Sequence, residues 1–189
     1  APVYVVKSNP FSARRKRGFL ALAVMAVALL ITQLALGNIL YTDEGLGVRL
    51  IERLQEEYDF SDNVTLMDGG TLGTKLIGPI GECDFLIVAD AVLGDSEPGS
   101  VYRLTGEDLR QSLAFKDSMH QTDLCDTLTT CGIIGHKPDA VVIGMEPFDY
   151  QTMSVELSPG TLEQLPKMAG HVLDEIEKAG GSYTPRKAE

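Results

Sequence analysis

From residue 31 onward, short apolar runs alternate with segments of helical period, and this alternation constrains the possible fold more than any other feature. Residues 31–37, 64–68, 85–91 and 140–145 read as strands. Residues 100–104 read as a short antiparallel edge strand, because no long crossover precedes them. A helix is expected over about 44–58, with Val48, Ile51, Leu54 and Tyr58 on one stripe and Arg49, Glu52, Arg53, Glu56 and Glu57 towards water. Residues 71–80 suggest a short, glycine-interrupted helix, and 121–131 a helix carrying Leu124, Leu128 and Cys131 that stops at Gly132. The final helix should start with Ser158 as N-cap and Pro159 as first residue, facing the sheet through Leu162, Leu165, Met168, Val172 and Ile176. Pro166 should kink it or split off its first turn. The pattern predicts an α/β fold of three αβα layers, with a twisted, mostly parallel sheet of about five strands and helices on both faces. Residues 31–180 form that domain, and 181–189 a flexible tail after Gly180-Gly181.

Residues 1–30 differ from the rest. The basic run Arg14-Arg15-Lys16-Arg17 precedes an apolar stretch from Gly18 to Ile31, and no acid appears before Asp43. Three readings stay open: an export or membrane element, an extra element packed on the domain, and an extension foreign to the fold. Spanning a bilayer takes about 20 apolar residues. Reaching that length would consume the first strand, so membrane association through residues 18–31 is not favoured.

The formal net charge is −11, yet residues 1–36 carry five basic residues and no acid, leaving 11 basic against 27 acidic residues in the remainder, or −16. Such a body repels a nucleic-acid backbone. Cys83, Cys125 and Cys131 are an odd number without a Cys-x-x-Cys pair. They read as buried thiols in a reducing, cytoplasmic compartment.

Acids recur at the ends of the apolar runs: Asp43 and Glu44, Asp68, Asp90 and Glu146. In an open parallel sheet, ligands sit beyond the carboxyl ends of the strands, so these acids should gather on one rim. Each alone could cap a helix. Together they repel one another unless a cation or a basic partner lies between them. His120 precedes a helix on a loop able to fold over that rim, and two carboxylates with an imidazole suit a divalent transition metal. His136 and His171 read as a turn residue and a polar helix residue. The chain has no Gly-x-Ser-x-Gly elbow, His-Glu-x-x-His helix, phosphate loop or intact dinucleotide fingerprint.

In order along the chain stand Gly37-Asn38-x4-Asp43-Glu44-Gly45-x-Gly47-Val48, Asp68-Gly69-Gly70-Thr71-x-Gly73, Ala89-Asp90-Ala91, Pro98-Gly99 and His120-Gln121. This set, over about residues 32–180, resembles the hydrogenase maturation endopeptidase family. The resemblance implies removal of a C-terminal extension from the nickel-iron hydrogenase large-subunit precursor after nickel insertion. It implies metal ligands at Glu44, Asp90 and His120, with nickel brought by the precursor and other divalent ions able to occupy the site. Asp43 and Asp68 are the candidate proton acceptors, and a monomer is expected. Two features depart from the family: Met119 replaces the usual proline before the histidine, and some thirty residues precede the first strand. A non-catalytic, metal-dependent checkpoint or chaperone for the precursor is the alternative from another class. Peptidyl-tRNA hydrolysis, which uses a related sheet, is opposed by the −16 body.

Overall fold

The computed structural model describes residues 31–35, 38–69, 76–106, 108 and 119–187, with side chains for all of these except 119–123 and 125. Strand β1 (Ile31–Ala35) leads through the 3-10 turn Thr42–Gly45 into helix α1 (Leu46–Glu57). Strands β2 (Tyr58–Phe60) and β3 (Val64–Asp68), helix α2 (Ile77–Glu82) and strands β4 (Phe85–Ala91) and β5 (Val101–Thr105) follow. Helix α3 (Met119–Ile134), strand β6 (Asp139–Met145), helix α4 (Pro159–Lys178) and strand β7 (Tyr183–Pro185) complete the order.

The main sheet has the order β3-β1-β4-β6-β5. Its first four strands are parallel and β5 lies antiparallel on the edge, as expected for a strand reached without a long crossover. Pleating sends alternate residues to opposite faces. Ile31, Ile87, Ala89, Val141, Ile143 and Met145 join the α1 and α4 layer, and Leu34, Leu86, Val88 and Val142 join the α2 and α3 layer. Near-continuous apolar runs are what a parallel sheet covered on both faces requires.

Chain direction locates the ligand crevice. From β1 the chain crosses to β3 on one side, and from β4 it proceeds to β5 and β6 on the other. The carboxyl ends of β1 and β4 therefore flank a topological switch point, where a parallel sheet opens a cleft.

Several expectations need correction. Residues 183–185, expected in a flexible tail, pair antiparallel with β2, and the Tyr58 and Tyr183 rings meet edge to face at 5.3 Å. Helix α3 starts earlier and ends later than expected, running through Gly132, which is helical, to a stop at Gly135 with φ of +138°. Its start places His120 in the first helical turn rather than in a loop. Helix α4 is continuous past Pro166, so its first turn is not split off; that turn is capped by Ser158, whose hydroxyl accepts from Thr161 N–H. Leu162, assigned to the sheet-facing stripe, is exposed, and Thr161 is buried in its place. Residues 71–75 of the helix expected over 71–80 lie outside the described residues, as do residues 1–30, and residues 77–80 fall in α2, which runs on to Glu82. Among the described residues, no helix is long and apolar enough to cross a membrane.

Candidate functional site

The acids expected on one rim are indeed delivered to one edge of the sheet, but they divide by use. Asp43 is fully buried. Its Oδ2 accepts from the Phe148 and Asp149 N–H groups at 2.9 and 2.8 Å and from the Ser158 hydroxyl at 2.8 Å. Its Oδ1 accepts from Ser158 N–H at 2.9 Å. Four donors on one carboxylate bind the 3-10 turn to the 146–158 loop and to the N-terminus of α4. Burial and those four donors leave the group no access to a substrate.

Glu146 serves in the same way beyond β6. Its Oε2 accepts from the Gly94 and Ser96 N–H groups, at 2.8 and 3.4 Å, and from the Tyr102 hydroxyl. Between those two amides Asp95 adopts a left-handed φ of +57°, a conformation aspartate tolerates better than most residues. Glu146 therefore holds the β4–β5 connection against the edge strand.

Asp90 behaves differently. It lies at the end of β4, 2% exposed, and its Oδ1 accepts from the following Ala91 N–H at 2.8 Å. Its Oδ2 is buried with no hydrogen-bond partner. The other such oxygen among the described residues, Gln33 Oε1, sits mid-strand in β1, whereas Asp90 borders the switch-point cleft. Burial pushes the Asp90 carboxyl up to about 7; the Ala91 amide opposes this and the Glu44 charge adds to it. The carboxylates of Glu44 and Asp90 are therefore close enough to repel, although some forty-six residues separate them in sequence. Glu44 is half-buried at the centre of the 3-10 turn that Asp43 anchors from within.

Asp68 is exposed at the end of β3 and aligned with Ala35. Asp90 lies one residue beyond Ala89, which aligns with Ala35 from the other side. Two strand spacings put Asp68 about 10 Å from Asp90. By the pleat, Asp68 belongs to the α1 face and Asp90 to the α2 and α3 face. The structure thus brings Glu44 and Asp90 together and leaves Asp68 across the end of β1. Of His120 it describes only the backbone, in the first turn of α3, the helix that packs on α2 beside Asp90's face of the sheet.

The anchoring role of Asp43 and Glu146 was not legible in sequence, since nothing local tells an acid that binds loop amides from one that awaits a ligand. His136 is structural as expected: its Nε2 lies 2.8 Å from the Cys83 carbonyl oxygen. Cys83 and Cys131 are buried free thiols, Cys83 pushed up to about 11 chiefly by burial, so neither is poised as a nucleophile.

A three-layer α/β domain with two neighbouring acids at the switch point of its sheet belongs to the doubly wound class. Comparison with known proteins narrows that class. The family model described as hydrogenase maturation protease matches residues 48–175. The chain is 40% identical over 155 residues to a hydrogenase expression/formation protein of Rhizobium leguminosarum bv. viciae, covering 81% of this chain and 77% of that one. It is 33% identical over 157 residues to hydrogenase 2 maturation protease of Escherichia coli K12, covering 82% and 95%. The solved structure of the hydrogenase maturating endopeptidase HybD from E. coli superposes with a TM-score of 0.78 at 34% identity, covering 82% of this chain and 97% of that one. The chain belongs to the hydrogenase maturation protease family.

Proposed function

We propose that this chain is an endopeptidase that removes the C-terminal extension of the nickel-iron hydrogenase large-subunit precursor once nickel is in place, reading the inserted nickel through Glu44, Asp90 and His120. The observation that carries this reading is Asp90 Oδ2, a buried carboxylate oxygen without a donor, beside a second acid at the switch point. An unpaired buried oxygen of this kind costs stability unless something completes it. A divalent ion does so, and carboxylate with imidazole suits nickel. Because nickel arrives with the substrate, the site needs ligands and no resident ion, and other divalent ions can occupy the same donors. When bound, the ion polarises the scissile carbonyl or a water molecule.

The remaining work falls to the chain. Glu44 and Asp90 orient the precursor's metal end over the cleft and exclude a precursor that lacks the charge to offset their repulsion. Asp43, buried and accepting from four donors, positions Glu44 by fixing the turn that carries it. Asp68, exposed across the end of β1, is the second candidate to accept the proton of the attacking water. The relatives' names place them in hydrogenase maturation, which supports the same substrate here.

Intact-mass measurement of nickel-loaded and nickel-free precursor, each with and without the purified chain, tests the proposal. Loss of the C-terminal extension from the loaded precursor alone is expected. Binding without loss of mass would make the chain a non-catalytic checkpoint and overturn the proteolytic reading. His120→Ala should keep the fold and abolish cleavage; normal processing by that variant would remove His120 from the ligand set.

A further inference from the structure

Beside the acid pair lies a strip of exposed apolar side chains that neither the core nor the metal site accounts for. Ile39, Leu40, Met153 and Val155 are 44, 53, 71 and 56% exposed. They belong to two short segments held together antiparallel by the Tyr41 and Met153 bridge, by Ser154 N–H donating to the Leu40 carbonyl at 3.2 Å and by Thr42 N–H and hydroxyl donating to the Thr152 carbonyl at 3.2 and 2.7 Å. Isolated exposed apolar residues are ordinary on any surface. Four on two hydrogen-bonded segments make a patch, and patches of this kind mark interaction sites.

The strip is rigidly coupled to the acid pair. Leu40 stands four residues before Glu44, and the turn between them is anchored by Asp43. Gly45 lets that turn lie flat on the strip: a Cβ there would come within 3.2 Å of the Ile39 Cα, a backbone atom that cannot swing aside. From the other side, Arg49 of α1 donates to the Val155 carbonyl at 2.8 Å. A preformed platform of this kind binds without the cost of ordering itself.

Charge selects the occupant. Glu156 directly follows Val155, Glu44 stands four residues after Leu40 and Asp149 four before Met153, and neighbouring hydrogen bonds, chiefly from Thr152, hold the Asp149 carboxyl below the usual range, hence ionised. Arg49, the cation that reaches the strip, is paired with Glu52 at 2.8 Å. We infer that the strip docks an extended segment of the precursor next to its cleavage point, a segment bearing apolar side chains flanked by basic ones. This inference rests on the function proposed above and adds the feature by which the substrate polypeptide itself, apart from its metal, is recognised.

The test pairs Met153→Asp/Val155→Asp with Ile133→Asp/Ile134→Asp, a control at the exposed far end of α3. All four sites are exposed, so melting temperatures should match the parent. With nickel-loaded precursor, the strip variant should raise KM tenfold or more with kcat within about twofold, and the control should change neither. Added salt should weaken precursor binding by the parent chain, as expected for a basic partner on an acidic rim. Parental KM in the strip variant would overturn the docking surface while leaving the proteolytic reading intact. Altered sedimentation of the strip variant with unchanged KM would assign the strip to a second copy of this chain, which also overturns it. If the parent chain cleaves no precursor, the proteolytic reading fails; calorimetric binding of precursor to the same variants then decides the docking surface alone.

Discussion

At the scale of single residues, adjacent acids in one turn have opposite fates. Asp43 turns inward to four donors, and Glu44, half-buried, lies near enough to Asp90 for their charges to repel. Asp43→Asn presents an NH2 to donors that need an acceptor, and orphaning even one buried amide costs about 1–3 kcal/mol. The expected result is a lower melting temperature together with kcat reduced more than KM; a normal melting curve would show the network to be dispensable. Asp90 predicts the opposite sign for stability. With its carboxyl at about 7 in the folded chain and about 3.9 when unfolded, the unfolded chain gives up its proton first as pH rises. Folding therefore loses stability between about pH 4 and 7, and Asp90→Asn escapes that loss. A tenfold change in the folding equilibrium is about 1.4 kcal/mol, or about 3–5 °C for a chain of this size. Thermal melts should place Asp90→Asn above the parent by at least that much at pH 8 and close to it at pH 4, while precursor cleavage is lost. A variant no more stable than the parent at pH 8 would contradict the unpaired oxygen. Stability given up at a ligand site in this way is typical of functional carboxylates.

At the scale of elements, α4 is held at both ends by carboxylates belonging to different parts of the chain. Asp43 receives the Ser158 cap at its start, and near its end Glu175, 2% exposed, accepts two hydrogen bonds from Arg103 of β5 at 2.9 and 2.8 Å and one from Lys178 at 2.7 Å. Hydrogen bonding from Arg103, opposed by burial and helped by Lys178, holds the Glu175 carboxyl below its ordinary value. A depressed folded-state pKa gives stability that is present above the unfolded value and is lost as pH falls through the folded one. Glu175→Gln should therefore destabilise the chain by about 1–2 kcal/mol at pH 7, discounted because Arg103 is half exposed. The difference should shrink below about pH 4, and urea melts at the two pH values check it. Element type was legible wherever a run was long and purely periodic, as in β4, α1 and α4. The β2 and β7 pair is not legible in sequence because three residues such as Tyr58-Asp59-Phe60 carry no period, and their pairing spans more than a hundred residues. The end of α3 is ambiguous in sequence because Gly132 and Gly135 look alike there, and of the two only Gly135 takes a positive φ.

At the scale of the whole molecule, strand order turns scattered acids into a site, and this explains which parts of it could be read in advance. Alternation of strands and helices implied a parallel sheet, a parallel sheet implied one rim holding the strand-end acids, and the family resemblance singled out Glu44 and Asp90 among them. The sequence could not show that Asp43 and Glu146 are spent on loop amides, because the Phe148, Asp149, Gly94 and Ser96 donors are brought to them only by the finished fold. The same division of labour separates recognition from architecture in a measurable way. Glu44 stands outside the Asp43 network, so Glu44→Gln removes charge from the cleft without disturbing the loop that carries it. Losing the repulsion from Glu44 also eases ionisation of Asp90. The variant should therefore melt at or above the parental temperature and take up a probe divalent ion such as Ni2+ more weakly, by about tenfold or more, since one carboxylate remains where two faced each other. Its cleavage of nickel-loaded precursor should fall, while the precursor's hold on the apolar strip persists as nickel-independent binding. Equal Ni2+ affinity in parent and variant, measured by titration calorimetry on the full chain, would mean that Glu44 faces the cleft without serving it, and that recognition of the metal lies with Asp90 and α3.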